Sequence, residues 1–243
     1  MKRHRLFTVG FIFAAMVQLR AQGFVNLNFE QANVSGYSRL DYVPVTAALP
    51  GWSATASYVG GTYAAAIVYD GISTGGTAIS VVDTNVSMGS VLATGFFPFQ
   101  GRYGVILFGA NTVSETISQT GLVPTGTAAL LFDARASSAT FSVTLGGQSV
   151  NVIPLQTFSN YTLYGADISA FAGQSETLSF TEPPAPVGQL GGDPNIFELD
   201  NIQFSSSPVP EPSALALGAL GALLFVFRAG RAEQPWRHDD KLA

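Results

Sequence analysis

The chain has 243 residues, 26 of them glycine and none of them cysteine, so a disulfide framework and a thiolate metal site are both excluded. Between residues 22 and 212, three arginines stand against thirteen acidic residues, with no lysine or histidine, which gives a net charge of −10. This composition excludes the basic face that a nucleic-acid partner needs. It also excludes Ser-His-Asp, Cys-His and Ser-Lys nucleophile systems, so we predict a protein that is not an enzyme.

The first 21 residues have the layout of a secretory signal peptide. Lys2, Arg3 and Arg5 form a basic start, and residues 6–17 form an apolar stretch of twelve residues. Twelve residues of helix cover about 18 Å, well short of a hydrocarbon core of about 30 Å. We therefore predict cleavage after Ala21 rather than a permanent N-terminal anchor.

Residues 22–205 are predicted to form one all-β domain. Short runs of alternating apolar and polar residues are separated by glycine-rich turns, a pattern typical of strands. The predicted strands are 25–29, 63–69, 78–82, 90–97, 103–108, 128–132, 141–145, 149–153, 161–168, 177–180 and 196–204. Gly146-Gly147 predicts a tight hairpin between two of them. Since no long helical pattern interrupts these strands, we predict an antiparallel β-sandwich.

The last predicted strand has an irregular alternation. Phe197 and Leu199 share one face, whereas Ile202 and Phe204 have the opposite parity. A regular strand cannot bury both pairs on one side. A bulge near Asp200-Asn201 would restore the phase.

The first and last strands together resemble those of jelly-roll, galactose-binding-like domains. The resemblance rests on Asn28-Phe29-Glu30, on residues 197–205, and on residues 161–180 before the last strand. It implies a sandwich of jelly-roll type in which Glu30 and Asp200 share a structural calcium ion. Calcium takes about six to eight oxygen ligands, so backbone carbonyls or other side chains would have to contribute. The alternative is that Glu30 is a solvated edge residue and Asp200 caps a turn.

Trp52 is a candidate sugar-binding residue. It follows a Pro50-Gly51 turn, where a ring can be displayed to solvent. The alternative is a place in the core, which is the commoner role of aromatic residues near strands.

The C-terminal end is predicted to be a membrane anchor. Residues 206–212 form a proline-containing linker, and residues 213–227 form an uninterrupted apolar stretch of about 22 Å as a helix. Arg228 and Arg231 follow at once and would stay cytoplasmic, as would the rest of residues 228–243. The body of the chain would then remain outside the membrane.

Val209-Pro210-Glu211-Pro212, the apolar stretch and Arg228 together resemble the PEP-CTERM sorting signal of Gram-negative bacteria. The resemblance implies that a membrane protease, exosortase, is a partner and cuts near Pro-Glu-Pro. The protein would then pass to the cell surface or into an exopolysaccharide matrix.

These observations predict an exported surface or matrix protein whose body is structural or binds carbohydrate. Two alternatives remain open. One is a secreted glycan-active hydrolase that uses paired carboxylates, and the other is an envelope protein that keeps its anchor permanently.

Overall fold

The computed structural model describes residues 22–71, 78–85, 96–109, 112–137, 141–184 and 195–210. The predicted signal peptide, the apolar stretch 213–227, the tail 228–243 and most of predicted strand 90–97 lie outside these residues. Within the described ranges, none of the helices has both the length and the apolar character needed to cross a bilayer.

Strands dominate the described part of the chain. They are β1 (Tyr42–Val43), β2 (Ser53–Tyr58), β3 (Gly61–Ala64), β4 (Ala66–Tyr69), β5 (Ala78–Asp83), β6 (Tyr103–Gly109), β7 (Ser114–Leu122), β8 (Ala129–Ala136), β9 (Ser142–Leu145), β10 (Gln148–Ser149), β11 (Val152–Thr157), β12 (Thr162–Asp167), β13 (Ser175–Glu182) and β14 (Asn195–Ser205). A single helical turn, α1 (Val45–Ala48), and a 3-10 turn (Ser169–Phe171) accompany them.

The strands form two sheets. The eight-stranded sheet has the order β1-β4-β5-β6-β14-β8-β12-β11, and the six-stranded sheet has the order β10-β9-β13-β7-β2-β3. Every pairing of named strands is antiparallel except that of β4 with β5. The predicted all-β sandwich with mainly antiparallel pairing is therefore confirmed, while its assignment to the jelly-roll type stays a prediction.

The core lies between the two sheets and is rich in aromatic rings. In β13, alternate residues such as Leu178 and Phe180 point into it. The ring centroids of Phe132 and Phe180 are 5.2 Å apart and nearly perpendicular, and those of Phe141 and Phe197 are 4.4 Å apart and stacked. Such pairs stabilise a core beyond the area that they bury.

Two predicted strands each divide between the sheets. Predicted strand 63–69 breaks at buried Ala65 into β3 of the six-stranded sheet and β4 of the eight-stranded sheet. Predicted strand 149–153 likewise divides into β10 and β11. The hairpin of β9 and β10 is confirmed, since Gly146 and Gly147 both have positive φ angles, 60° and 74°, as a two-residue turn requires.

The predicted strand 25–29 is wrong. Asn26 and Phe29 have φ angles of 51° and 57°, which no extended strand allows. The side chain of Gln119 forms the hydrogen bonds that a neighbouring strand would form. Its Oε1 accepts the N–H of Val25 at 2.6 Å, and its Nε2 donates to the Val25 carbonyl at 3.0 Å. The alternation nevertheless identified a buried residue, as Phe29 is fully enclosed.

Candidate functional site

The bulge in β14 creates the local geometry of the candidate site. The register with β8 shifts between Asp200 and Gln203, and Asn201 has a φ of 51°, which confirms the predicted bulge. Its effect is to bury both Leu199 and Ile202 against the core. The Asn201 amide donates to the Asp133 carboxylate at 2.9 Å, and Gln203 donates to the Asn201 carbonyl at 2.7 Å. The outer face of the eight-stranded sheet thus carries a connected row of polar side chains.

Two carboxylates hold the loop 96–102 against this face. Asp200 Oδ2 accepts the backbone N–H of Gln100 at 2.8 Å. Glu30 Oε1 accepts the backbone N–H groups of Arg102 and Tyr103 at 2.8 and 2.9 Å. The predicted pair Glu30 and Asp200 is therefore brought to one loop, from opposite ends of the domain sequence.

Burial sets the electrostatics of the outer face. It raises the pKa of Asp200 to about 7, against the backbone N–H bonds of Gln100, Asn201 and Phe99, and the nearby charge of Glu30 adds to the rise. Burial also raises the pKa of Glu198 to about 8, although Arg135 is bonded to its carboxylate at 2.7 Å. Asp133 is buried too, and its pKa is raised for the same reason. These carboxyl groups therefore keep their protons at pH values where exposed carboxyl groups are ionised.

The contacts of Glu30 and Asp200 do not build a calcium site. The partners that the structure turns towards these carboxylates are N–H groups, which are hydrogen-bond donors, whereas calcium needs further oxygen ligands. Across the described ranges, no group of three or more His, Asp or Glu side chains is placed to hold a metal ion. The structural calcium ion therefore stays a prediction. The test compares the melting temperature with calcium and with a chelator. If the ion is bound, calcium should stabilise the unsubstituted chain but not the Glu30→Ala, Asp200→Ala variant.

Three stacked rings lie beside the polar row. Phe99 belongs to the loop 96–102, and Tyr161 and Phe158 belong to the connection between β11 and β12. The Phe99 and Tyr161 centroids are 5.1 Å apart, and those of Phe158 and Tyr161 are 4.6 Å apart. A backbone bond from Phe158 N–H to the Tyr161 carbonyl, 2.8 Å, fixes the turn that carries two of the rings.

These three rings form what we call the aromatic ladder. Phe158 is 39% exposed, and Phe99 and Tyr161 are half-buried. The ladder lies near the polar row because Asp200 binds the loop that carries Phe99. Flat apolar rings and hydrogen-bonding side chains thus share one accessible face. Sequence reasoning missed this site because its rings come from two turns far apart in the chain.

Trp52 is not displayed, so the structure contradicts its predicted role as a sugar platform. The residue is 5% exposed and packs against Phe29 and Phe180 in the core. Its indole N–H donates to the carbonyl of Asn26 at 3.1 Å. The Pro50-Gly51 turn directs the ring inward, between the sheets.

One buried pair of carboxyl groups bears on the hydrolase alternative. Glu115 of β7 and Glu182 of β13 are directly opposite in the register, and both are fully enclosed. Glu115 Oε2 accepts the backbone N–H of Phe108 at 2.9 Å, and burial raises the pKa of Glu115 to about 8. In this closed arrangement neither group reaches a substrate.

The sorting motif is described only at its start. Val209 is partly buried on the outer face of the eight-stranded sheet, over Gly165, where a Cβ would lie 2.5 Å from Val209 Cγ1. Pro210 is exposed. Glu211, Pro212 and Arg228 lie outside the described residues. Within the described part of the predicted linker, Val209 therefore packs on the domain while its neighbours are exposed.

The described part of the chain is an antiparallel-rich β-sandwich with an aromatic ladder on one outer face. No family model and no curated protein matches the chain. Solved structures that match include TmCBM61 in complex with β-1,4-galactotriose, at 13% identity and a TM-score of 0.40, covering 76% of this chain and 98% of that one.

Two cyclase structures from Fischerella sp. TAU also match. The Stig cyclase Fisc, in complex with (3Z)-3-(1-methyl-2-pyrrolidinylidene)-3H-indole, has 13% identity and a TM-score of 0.44, covering 78% of this chain and 98% of that one. The other cyclase has 12% identity and a TM-score of 0.42, covering 79% and 98%. Similarity at this level assigns no ligand and no residue to this chain.

Proposed function

We propose that this chain is an exported, non-enzymatic protein of the cell surface or extracellular matrix whose sandwich binds a neutral polysaccharide. The observation that carries the binding part of the proposal is the aromatic ladder of Phe99, Tyr161 and Phe158. It is partly exposed, it is positioned by a turn and by a carboxylate-bound loop, and it lies beside hydrogen-bonding side chains.

The chemistry of a sugar polymer suits this surface. A sugar ring has a weakly polar C–H face and a rim of hydroxyl groups. The C–H face stacks on an aromatic ring, which contributes buried area at little entropic cost. The hydroxyl rim needs fixed donors and acceptors, and exposed Gln203 and half-buried Asn201 supply both. A neutral polymer is favoured over an anionic one because the body carries ten more acidic than basic residues.

The proposed cellular location rests on the two ends of the sequence. The N-terminal signal pattern, the Pro-Glu-Pro motif and the apolar stretch 213–227 support export, followed by anchoring in the membrane. Exosortase-like cleavage would then release the body. Mass spectrometry of the mature C-terminus tests this part, because a chain that is intact through Ala243 in the native envelope would show that no cleavage occurs and would favour the permanent anchor.

The binding part is tested with a panel of soluble polysaccharides, neutral and anionic, in affinity electrophoresis of the full chain in detergent. We expect Tyr161→Ala and Phe158→Ala each to weaken binding by about tenfold, since a buried aromatic side chain contributes about 1.5–3 kcal/mol. Tyr42→Ala is the matched control, because Tyr42 is 65% exposed and lies on β1, at the opposite end of the same sheet from β11.

Two results would count against the proposal. Binding that survives both ladder substitutions would remove the ladder as the site. Release of reducing sugar from any member of the panel would favour the glycan-active hydrolase instead.

A further inference from the structure

The hairpin of β2 and β3 carries a further pair of stacked rings, those of Tyr58 and Tyr63. In the hairpin register Tyr58 is opposite Gly61 and Tyr63 is opposite Ala56, so the tyrosines are diagonal neighbours on one face. Their ring centroids are 4.8 Å apart and the rings are within 15° of parallel. Both are accessible, with exposures of 46% and 49%.

Hydrogen bonds align the two phenol groups. Tyr63 Oη donates to the carbonyl of Gly60 at 3.1 Å, which leaves its lone pairs free to accept. A side-chain hydrogen bond joins Tyr58 to Tyr63, and this bond is the first cause of the raised pKa of Tyr58. The stacking and these hydrogen bonds therefore hold the two phenol groups next to each other.

Glycine makes this arrangement possible. Gly61 has a φ of 136°, in a region that side-chain-bearing residues rarely adopt. The turn that brings the two rings together therefore requires glycine at this position.

We propose that Tyr58 and Tyr63 form an oxidative cross-linking site, at which a carbon–carbon bond joins the two rings ortho to their hydroxyl groups. Hydrogen peroxide is the oxidant, and a peroxidase uses it to oxidise the two phenols. Each phenol gives up one electron and one proton, and the two phenoxyl radicals couple. The hydrogen on each coupled carbon then returns to an oxygen as the rings regain aromaticity. The pair loses two electrons and two protons in all, and one hydrogen peroxide becomes two waters.

The bond would tie down an exposed sheet edge. In the described residues β3 ends the six-stranded sheet, and an edge strand can fray or pair with another chain. The chain has no cysteine, so a disulfide cannot do this work. Contact with extracellular peroxide depends on the proposed export, but the reaction itself depends only on the hairpin.

The test treats the full chain with a peroxidase and a stoichiometric amount of hydrogen peroxide. We expect dityrosine fluorescence and a monomer lighter by two hydrogen atoms, whose tandem mass spectrum lacks backbone fragments between residues 58 and 63. Tyr58→Phe and Tyr63→Phe should each lower the fluorescence at least tenfold. Tyr42→Phe is the control and should leave it unchanged, since Tyr42 is the most exposed tyrosine described, at 65%, and has no stacked partner among the described residues.

Three results would overturn the inference. They are fluorescence that persists in both hairpin variants, covalent dimers formed through Tyr42 in place of the modified monomer, and an equal yield after unfolding in urea. None of them bears on polysaccharide binding or on export. Conversely, a chain that fails to bind any polysaccharide can still cross-link.

Discussion

Glu115 is predicted to make the protein less stable as the pH rises, and Glu115→Gln to remove that effect. The side chain is fully enclosed, and Glu182 faces it directly across the β7–β13 register. A glutamine has the same shape and can still accept the N–H of Phe108. Its amide can also donate to Glu182, as the protonated carboxyl of Glu115 can. The substitution therefore removes the titration of one group with little change in packing.

The magnitude follows from the pKa of Glu115. Burial raises it from an ordinary 4.5 to about 8. Between these values the folded protein holds a proton that the unfolded chain has released, so stability falls with rising pH by about 1.4 kcal/mol per pH unit. The cost is absent below pH 4, reaches about 3 kcal/mol at pH 7 and is complete, at about 5 kcal/mol, above pH 8.

Urea denaturation at a series of pH values measures this slope. We expect the stability of Glu115→Gln and that of the unsubstituted chain to be similar near pH 4.5 and to diverge steadily up to pH 8, with the variant more stable. Glu176→Gln is the control, because Glu176 lies near the other end of β13 and is only half-buried. Parallel curves for Glu115→Gln and the unsubstituted chain would refute the reasoning, since Glu115 would then ionise in the folded state as easily as in the unfolded chain.

Two glycine substitutions test the local geometry. Gly101→Ala should cost about 1–2 kcal/mol of stability in urea denaturation, because Gly101 has a φ of 64° and a Cβ there would press on the Glu30 carboxylate; an unchanged stability would contradict this. Gly165→Ala should displace Val209 and speed proteolytic cleavage at residues 206–210 several-fold, because the added Cβ would lie 2.5 Å from Val209 Cγ1. The Cβ would also lie 2.7 Å from Leu155 Cδ1, so some stability is lost as well. An unchanged cleavage rate would show that Val209 does not depend on this contact.

The sequence predicts the strands whose inward positions are large and apolar. The strands β6, β8, β12 and β14 were all located, and even the bulge of β14 followed from the parity of its apolar residues. Such strands are recognisable because burial of large side chains on one face imposes a period of two. The division of two predicted strands between the sheets was not recognisable, since a chain that changes sheet can keep its alternation.

The strands β2 and β7 were missed because their pattern is carried by small and hydroxyl-bearing residues. In β7 the outward positions are Ser114, Thr116, Ser118 and Thr120. These residues pair across the sheet with other Ser and Thr residues, as the bond of 2.8 Å between the Thr116 and Thr181 hydroxyls shows. Hydroxyl groups satisfy each other in pairs between strands, and a single segment shows only one half of each pair.

The ladder could not be predicted for a related reason. Neither turn that carries it has a recognisable motif, and the rings of Phe99 and Tyr161 meet because Asp200 and Glu30 fasten the loop 96–102 to the sheet. The sequence singled out these two carboxyl groups as metal ligands on the strength of a resemblance. In the structure they accept hydrogen bonds from backbone N–H groups, and these bonds position the loop 96–102.

Burial also reduces the negative charge that the protein presents at its surface. Seven of the eleven acidic residues that the structure describes are buried: Asp70, Asp83, Glu115, Asp133, Glu182, Glu198 and Asp200. Three of them form ion pairs with Arg39, Arg102 and Arg135. At neutral pH Glu115, whose pKa is raised to about 8, remains protonated. The negative electrostatic potential at the surface is therefore weaker than the composition indicates. A neutral polymer that approaches the ladder meets hydrogen-bonding groups rather than a strongly charged surface.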